Sequence, residues 1–216
     1  MKFLIPEGTA RIVIRGRHSH SVQEGPNETR TLTTESVALC AAVRNEYHEL
    51  FAELAVGFGN PLFACSEYPR SMITTFLVTG AEQITADQRL NLDASVKKAP
   101  DPKGCHANLK KHWDAEGLTI PQMLQRLAAD PSLFGNQPVE EALEHAKDFV
   151  LNAFPGNRLV VTFDHEPAIG LFAAQCGAAP EEFGLEECQA NVFFLNAENK
   201  IIGVKKFTPT ATIAVK

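Results

Sequence analysis

The sequence lacks any apolar run long enough to span a bilayer, so we expect neither a membrane protein nor a membrane partner. The first residues turn acidic too soon, at Glu7, to form a secretion signal. Cysteine is scarce, with five residues in all, and no two of them have the CxxC spacing. An odd number of unpaired cysteines is typical of free thiols in a reducing compartment, and we therefore expect a cytoplasmic protein.

The sequence also has no excess of positive charge. Its formal net charge is -6 at pH 7, which argues against a nucleic-acid partner, because a phosphate backbone requires a basic face. A small phosphorylated ligand requires only two or three local cations. Glycine-rich phosphate loops and the G-x-S-x-G element of serine hydrolases are missing too. Because Cys105, His106 and His112 match no zinc spacing, we expect neither a metal nor a cofactor.

The 216 residues, with 44% hydrophobic and 21% charged side chains, are enough for one domain with a substantial core. Short apolar runs alternate with segments of helical periodicity. We predict strands at 11–14, 62–65, 158–163, 191–195 and 201–204, with a less regular one within 84–92. Helices are predicted at 35–55, 69–79, 121–129, 138–153 and 167–175.

This alternation predicts a three-layer α/β/α sandwich with a mostly parallel central sheet. The segments 191–195 and 201–204 flank a polar turn and are predicted to form a β-hairpin. We expect a single domain over residues 1–216. Residues from about 87 to 137 have mixed polarity and are expected to form an insertion over the functional site.

Three predicted strands end in polar residues suited to phosphate. The first ends at Arg17 and His18, the second leads from Ser66 to Arg70, and the third ends at His165. Ligands of α/β sheets bind at the carboxyl ends of the strands. Arginine matches phosphate oxygens with its planar fork, and a neutral imidazole attacks phosphorus to form a covalent intermediate. Each residue singly also fits a solvated loop end, so the interpretation depends on their occurring together and in order.

At these residues the sequence resembles the histidine phosphatase superfamily, which includes the cofactor-dependent phosphoglycerate mutases. The first strand of the superfamily ends in R-H-G-x-[TS], and residues 17–21 read R-H-S-H-S. The second motif, S-S-P-L-x-R-A-x-Q-T-A, aligns with residues 65–75, where Ser66, Arg70 and Thr74 fall in register. The bacterial phosphohistidine phosphatase branch continues with H-N-P-x-[IL], and residues 165–169 read H-E-P-A-I. The matched segments bracket residues 11 to 172.

The resemblance implies a phosphoglycerate mutase-like fold and a phosphomonoester hydrolase of the histidine acid phosphatase type. It implies that His18 is the nucleophile that becomes phosphohistidine. Arg17, Arg70 and a protonated His165 would form the phosphate pocket, with Ser21 at its edge. The expected partner is a small phosphorylated substrate or a phosphoprotein, and the oligomeric state stays open. A phosphomutase is a lesser alternative.

Departures from the motifs favour a second alternative, a catalytically impaired phosphate-binding or regulatory domain. Ser19 stands where the superfamily has glycine, and Glu67 stands where it has proline. Glu166 adds a negative charge beside His165. We expect this charge to raise the pKa of His165.

The general acid that protonates the leaving group has three candidates. The resemblance places Asp93 near a glutamate that follows the third strand in many members. Glu166 is the second candidate, because another branch has an acid directly after the second histidine. Asp164 is the third. All three also fit simple surface charge.

Overall fold

The computed structural model describes residues 4–22, 24–26, 29–66, 68–85, 88–90, 117, 120–130, 139–166 and 168–211. Within these ranges the strands are β1 (Arg11–Arg17), β2 (Leu62–Ser66), β3 (Arg89–Leu90), β4 (Leu159–Asp164), β5 (Ala190–Leu195) and β6 (Ile201–Phe207). The helices are α1 (Thr34–Phe58), α2 (Pro69–Thr79), α3 (Ile120–Ala129), α4 (Val139–Asn152) and α5 (Ala168–Gln175). None of the helices described here is long and apolar enough to cross a membrane.

The predicted elements occur with small shifts of their ends. The helix predicted at 69–79 has those bounds, and the one predicted at 35–55 extends to Phe58. The strand expected within 84–92 contracts to Arg89–Leu90. Of the insertion predicted at 87–137, the structure describes only 88–90, 117 and 120–130. The prediction that this insertion covers the site lies outside the described residues.

The six strands form one sheet in the order β3-β2-β4-β1-β5-β6. The first three neighbouring pairs are parallel, whereas β1 with β5 and β5 with β6 are antiparallel. The prediction of a mostly parallel sheet is therefore not confirmed, because the sheet is mixed. The predicted hairpin is present as β5 and β6, and it joins the sheet through β1. The two strands of a hairpin are always antiparallel. The β5–β6 hairpin also pairs antiparallel with β1, so this half of the sheet is antiparallel.

Helices cover both faces of the sheet, and each face has its own apolar core. Ile12 and Ile14 of β1 face a core built with α1 and α2. Val13, between them, faces a core built with α3, α4 and α5. Six of the seven β1 residues are buried, as expected for a central strand that is covered on both sides.

Local signals in the sequence account for the ends of the first two helices. The Thr33 side chain accepts a hydrogen bond from the Ser36 N–H at 3.2 Å and caps α1. Helix α2 ends at Gly80, whose φ of 70° lies in the left-handed region that favours glycine. Gly16 has a different constraint, because a Cβ atom there would lie 2.5 Å from the Phe163 ring. Glycine therefore allows the phenyl ring to pack on β1 one residue before Arg17.

An arginine of β1 closes the end of α4. Arg11 is 8% exposed, and its guanidinium donates to the carbonyl groups of Val150, Leu151, Ala153 and Asn157. The last carbonyls of a helix have no partner inside it, and their partial negative charge favours a cation. Arg11 thus connects the first strand to the segment that leads into β4.

Candidate active site

Three neighbouring strands end at the same edge of the sheet. β2, β4 and β1 are adjacent and parallel, and their carboxyl ends bring Ser66, His165 and His18 together. Helix α2 begins at Pro69, directly after β2, and its first turn adds Arg70. Proline suits this position because a first-turn N–H has no partner inside the helix. His18 and His165, which are 147 positions apart in the sequence, therefore lie in one cluster. Their positions at strand ends predict this closeness.

Arg70 lies between the two histidines. Its Nε–H donates to His18 Nε2 at 3.2 Å, and its Nη2 donates to His165 Nδ1 at 3.4 Å. The centroids of the two imidazole rings are 4.7 Å apart. The Tyr68 ring lies over the guanidinium, with its centroid 4.7 Å from Cζ, and Arg70 is 5% exposed. A buried, oriented guanidinium of this kind is suited to bidentate contact with phosphate oxygens.

The hydrogen bonds of His18 fix its tautomer. Nδ1 donates to the carbonyl oxygen of Ser19 at 2.5 Å, so the lone pair lies on Nε2, which faces Arg70. The backbone N–H of His18 donates to the Asp164 carbonyl at 3.0 Å. Burial lowers the pKa of His18 to about 3, and the positive charge of Arg70 adds to this effect. The imidazole is therefore neutral at pH 7, with Nδ1 anchored to the Ser19 carbonyl and the Nε2 lone pair accepting from the Arg70 Nε–H.

His165 is also held at both nitrogens. Nε2–H donates to Ser66 Oγ at 3.0 Å, and Nδ1 accepts from Arg70. Burial lowers the pKa of His165 well below its ordinary value, and His18 and Arg70 lower it further. The expectation that Glu166 raises this pKa is therefore wrong. The reason is that burial, followed by the neighbouring His18 and Arg70, dominates the environment of the ring.

Two of the three candidate acids, Glu166 and Asp164, lie in the described part of the chain and have different surroundings. Glu166 accepts the backbone N–H groups of Gly170 and Leu185, at 3.1 and 2.9 Å, and burial raises its pKa. Asp164 is buried in an ion pair with Arg15, whose Nη2 lies 2.9 Å from Oδ2. Its side chain lies on the sheet face opposite to that of His165, because successive strand residues alternate. Asp93 and Glu67 lie outside the described residues.

The segment 185–189, which precedes β5, holds Arg17 in place. The Arg17 Nη1 donates to the Leu185 carbonyl at 2.8 Å and lies 3.8 Å from a carboxylate oxygen of Glu186. The backbone of Arg17 is bonded on both sides, to the Cys188 N–H and to the Gln189 carbonyl. Arg17 is close enough to lower the pKa of His18. The pattern L-E-E-C before a buried strand is the only local signal of this segment, and by itself it does not predict a contact with Arg17.

Ser19 and Ser21, in the loop that follows His18, are both buried. Ser19 is fully buried, and its hydroxyl donates to Glu187 Oε2 at 3.0 Å. Its backbone N–H donates to Thr74 Oγ1 at 3.2 Å. Ser21 is buried and forms an isolated β-bridge with Leu32. The role of Ser21 at the edge of a pocket stays a prediction.

No protein-family model matches the sequence, and no curated protein aligns with it significantly. Among solved structures, a candidate alpha-ribazole-5'-P phosphatase from Escherichia coli superposes with a TM-score of 0.52 at 14% identity, covering 95% of this chain and 100% of that one. This superposition shows that the two chains share a fold. At 14% identity the likeness is one of fold alone, and it agrees with the fold that the motif resemblance implies.

Two further solved structures superpose less closely. The protein histidine phosphatase SixA, complexed with tungstate, has a TM-score of 0.46 and 14% identity, covering 90% of this chain and 96% of that one. A mycobacterial glucosyl-3-phosphoglycerate phosphatase, complexed with inorganic phosphate, has a TM-score of 0.46 and 13% identity, with 94% and 98% covered.

Proposed function

We propose that the protein is a phosphomonoester hydrolase that acts through a phosphohistidine on His18. The observation that carries the proposal is the state of the His18 ring. Its Nδ1–H is donated to the Ser19 carbonyl, its pKa is lowered to about 3, and its Nε2 faces Arg70. A neutral imidazole with an oriented lone pair beside a buried guanidinium is suited to attack on phosphorus.

In the first step, His18 Nε2 forms a bond to phosphorus while the bond from phosphorus to the ester oxygen breaks. The leaving oxygen takes a proton from a general acid. The ring becomes positively charged, and the Ser19 carbonyl, already bonded to Nδ1–H, stabilises that charge. Arg70 and Arg17 neutralise the charge on the transferring oxygens, which is the main demand of phosphoryl transfer.

In the second step, water attacks phosphorus and gives a proton to the general acid that was deprotonated in the first step, while the bond to His18 Nε2 breaks; this releases inorganic phosphate and restores the neutral ring. His165 lies beside the same position and is neutral in this structure, with its Nε2–H donated to Ser66. A bound phosphate dianion raises the pKa of a neighbouring histidine. We therefore expect His165 to take up a proton when substrate binds.

The general acid is proposed to be Asp93, with Glu166 as the second candidate and Asp164 as the third. Removal of the acid slows a substrate with a poor leaving group far more than one with a good leaving group. Asp93→Asn is therefore expected to reduce turnover of an alkyl phosphate much more than turnover of p-nitrophenyl phosphate. The same pattern in Glu166→Gln, with none in Asp93→Asn, would assign the acid to Glu166.

The test of the function is turnover of p-nitrophenyl phosphate across about pH 4 to 8. We expect the wild type to be active, His18→Ala to be inactive, and His48→Ala, which changes an exposed histidine on α1, to retain activity. Rapid quenching is expected to trap acid-labile phosphate on the wild type and on His48→Ala, but not on His18→Ala. Activity that survives His18→Ala would exclude the proposed nucleophile, and phosphate binding without turnover would indicate the impaired binding domain.

Retention of the phosphoryl group distinguishes a hydrolase from a phosphomutase. A hydrolase is expected to release inorganic phosphate in the same amount as the free alcohol. A mutase returns the phosphoryl group to the substrate at another hydroxyl, so phosphate release would fall far below turnover. We therefore expect the two products in equal amounts when a sugar phosphate is the substrate.

A further inference from the structure

We propose that Glu187 is a positioning residue for the nucleophile, acting through Ser19, an inference that rests on the function proposed for His18. Ser19 stands where the superfamily motif has glycine, so its side chain needs a place beside the reactive histidine. The hydroxyl donates to Glu187 Oε2 at 3.0 Å, and Ser19 is fully buried. The serine is therefore accommodated by a carboxylate that is 168 residues further along the chain.

All the polar groups of Ser19 are engaged. Its N–H donates to Thr74 Oγ1, its hydroxyl donates to Glu187, and its carbonyl accepts the Nδ1–H of His18. Thr74 Oγ1 donates in turn to the Arg70 carbonyl at 2.8 Å. The conformation of Ser19 is thus held from both sides of the loop, and the direction of its carbonyl sets the tilt of the His18 ring.

Glu187 itself is held in register with β1. The next two residues, Cys188 and Gln189, exchange backbone hydrogen bonds with Arg17, at 3.2 and 2.9 Å. The second carboxylate oxygen of Glu187 lies 3.4 Å from His20 Nδ1. One side chain therefore contacts both residues that follow His18, while its backbone is fixed beside the residue that precedes His18.

This geometry gives Glu187 a defined effect on the reaction. Without the carboxylate, the buried Ser19 hydroxyl loses its oxygen acceptor and keeps only the weaker contacts with the thiols of Cys40 and Cys188. The carbonyl that orients His18 then turns more freely. Nε2 then points at phosphorus for less of the time, whereas Arg70 still binds the phosphate. A displacement of about 1 Å at a reacting atom costs up to about a hundredfold in rate, so the loss is expected in kcat and not in KM.

The experiment is a double-mutant cycle with Glu187→Ala, Ser19→Gly and the combined variant, assayed with p-nitrophenyl phosphate. Glu187→Ala is expected to lower kcat by about ten- to a hundredfold with KM almost unchanged. Glu187→Gln keeps an acceptor oxygen and is expected to retain most of kcat. In the Ser19→Gly background, where no hydroxyl needs an acceptor, Glu187→Ala is expected to change kcat by less than about twofold.

The control is Glu182→Ala, three residues before the segment 185–189. Glu182 pairs with Lys205 at 2.5 Å, away from the nucleophile loop, and we expect its replacement to leave kcat and KM unchanged. An equal loss from Glu187→Ala in both backgrounds would overturn the proposal, because it would show a structural effect that does not pass through Ser19. A rise of KM at constant kcat would overturn it as well.

A second readout does not require turnover. The ring-nitrogen resonances of His18 report which nitrogen carries the proton. We expect the Nδ1–H tautomer in the wild type and in Glu187→Gln, and a mixture of tautomers in Glu187→Ala. Unchanged nitrogen resonances in Glu187→Ala would overturn the positioning role. If the wild type is inactive but Glu187→Ala still changes the His18 nitrogen resonances, only the proposed phosphatase activity is refuted. The positioning role of Glu187 then stands.

Discussion

The two ring nitrogens of His18 have different tasks. Nδ1 anchors the ring to the Ser19 carbonyl, and Nε2 faces Arg70 with its lone pair. Burial and the neighbouring guanidinium keep the ring neutral. A histidine that works as a nucleophile has to avoid protonation, and this environment maintains the neutral form well below the ordinary pKa of about 6.5.

This environment predicts that His18 does not titrate near neutrality. The pKa of about 3 means that the ring stays neutral throughout the range of about pH 5 to 8 in which histidine ordinarily changes charge. In NMR titrations we expect one histidine signal, absent from His18→Ala, to keep its position across this range. The urea-unfolded protein is the control, since His18 should titrate there at about 6.5. A midpoint near this value in the folded protein would show that the ring is solvated.

The residues of the site differ in how far the sequence predicts them. His18, Arg70 and His165 were predicted because each follows a strand, and strand ends can be recognised locally. The effect of Glu166 on His165 was predicted wrongly, because adjacency in the chain does not give side-chain direction. The Glu166 carboxylate accepts from the N–H groups of Gly170 and Leu185 instead.

The same limit applies to the elements. The hairpin of β5 and β6 is predicted from two apolar runs and a polar turn, but nothing in those runs names β1 as its partner in the sheet. The segment 185–189 has no regular periodicity, and its contacts with Arg17 join residues 168 positions apart. Local patterns therefore give the elements, whereas the mixed sheet and the support of Arg17 depend on pairings between distant parts of the chain.

The end of α4 offers a prediction about stability. Arg11→Met removes a buried guanidinium and leaves carbonyl groups of Val150, Leu151 and Ala153 without their donor. We expect the free energy of unfolding to fall by about 3 kcal/mol, measured by urea denaturation. Because Arg11 lies at the start of β1 and His18 follows its end, kcat is expected to stay unchanged.

Arg158→Met is the matched control for this variant. Arg158 is exposed and donates to a single carbonyl, that of Ala10, at 3.1 Å. Its replacement is expected to cost about 1 kcal/mol or less. If the two variants lose the same free energy of unfolding, the several carbonyl contacts of Arg11 stabilise the protein no more than a single ordinary hydrogen bond does.

The stability of the whole molecule should depend on pH through its buried histidines. The pKa of His165 lies well below its ordinary value in the folded protein and at about 6.5 in the unfolded chain. Below about pH 6.5 the unfolded state therefore binds a proton that the native state does not. The free energy of unfolding is then expected to fall by about 1.4 kcal/mol per pH unit for such a histidine. Above that pH the histidine has no effect.

The variant His165→Gln isolates this contribution. Urea denaturation of the wild type and the variant, between about pH 7.5 and 5, is expected to show a steeper loss of stability for the wild type below about pH 6.5. The variant loses less stability on acidification because its unfolded chain has no histidine at position 165 to protonate. Parallel curves would mean that His165 titrates at the same pH in the folded and the unfolded states.

The central position of β1 has a consequence for the order in which the molecule assembles. β1 pairs with β4, as in Ile12 with Leu159, and with β5, as in Arg11 with Leu195. A growing chain is synthesised from its N-terminus, so this strand leaves the ribosome long before either neighbour exists. Its six residues that are buried in the folded protein remain unpaired until those strands have been synthesised. Pairings between strands so distant in sequence are also slow to form. β1 is therefore synthesised before both of its partner strands, and its place in the sheet is completed late.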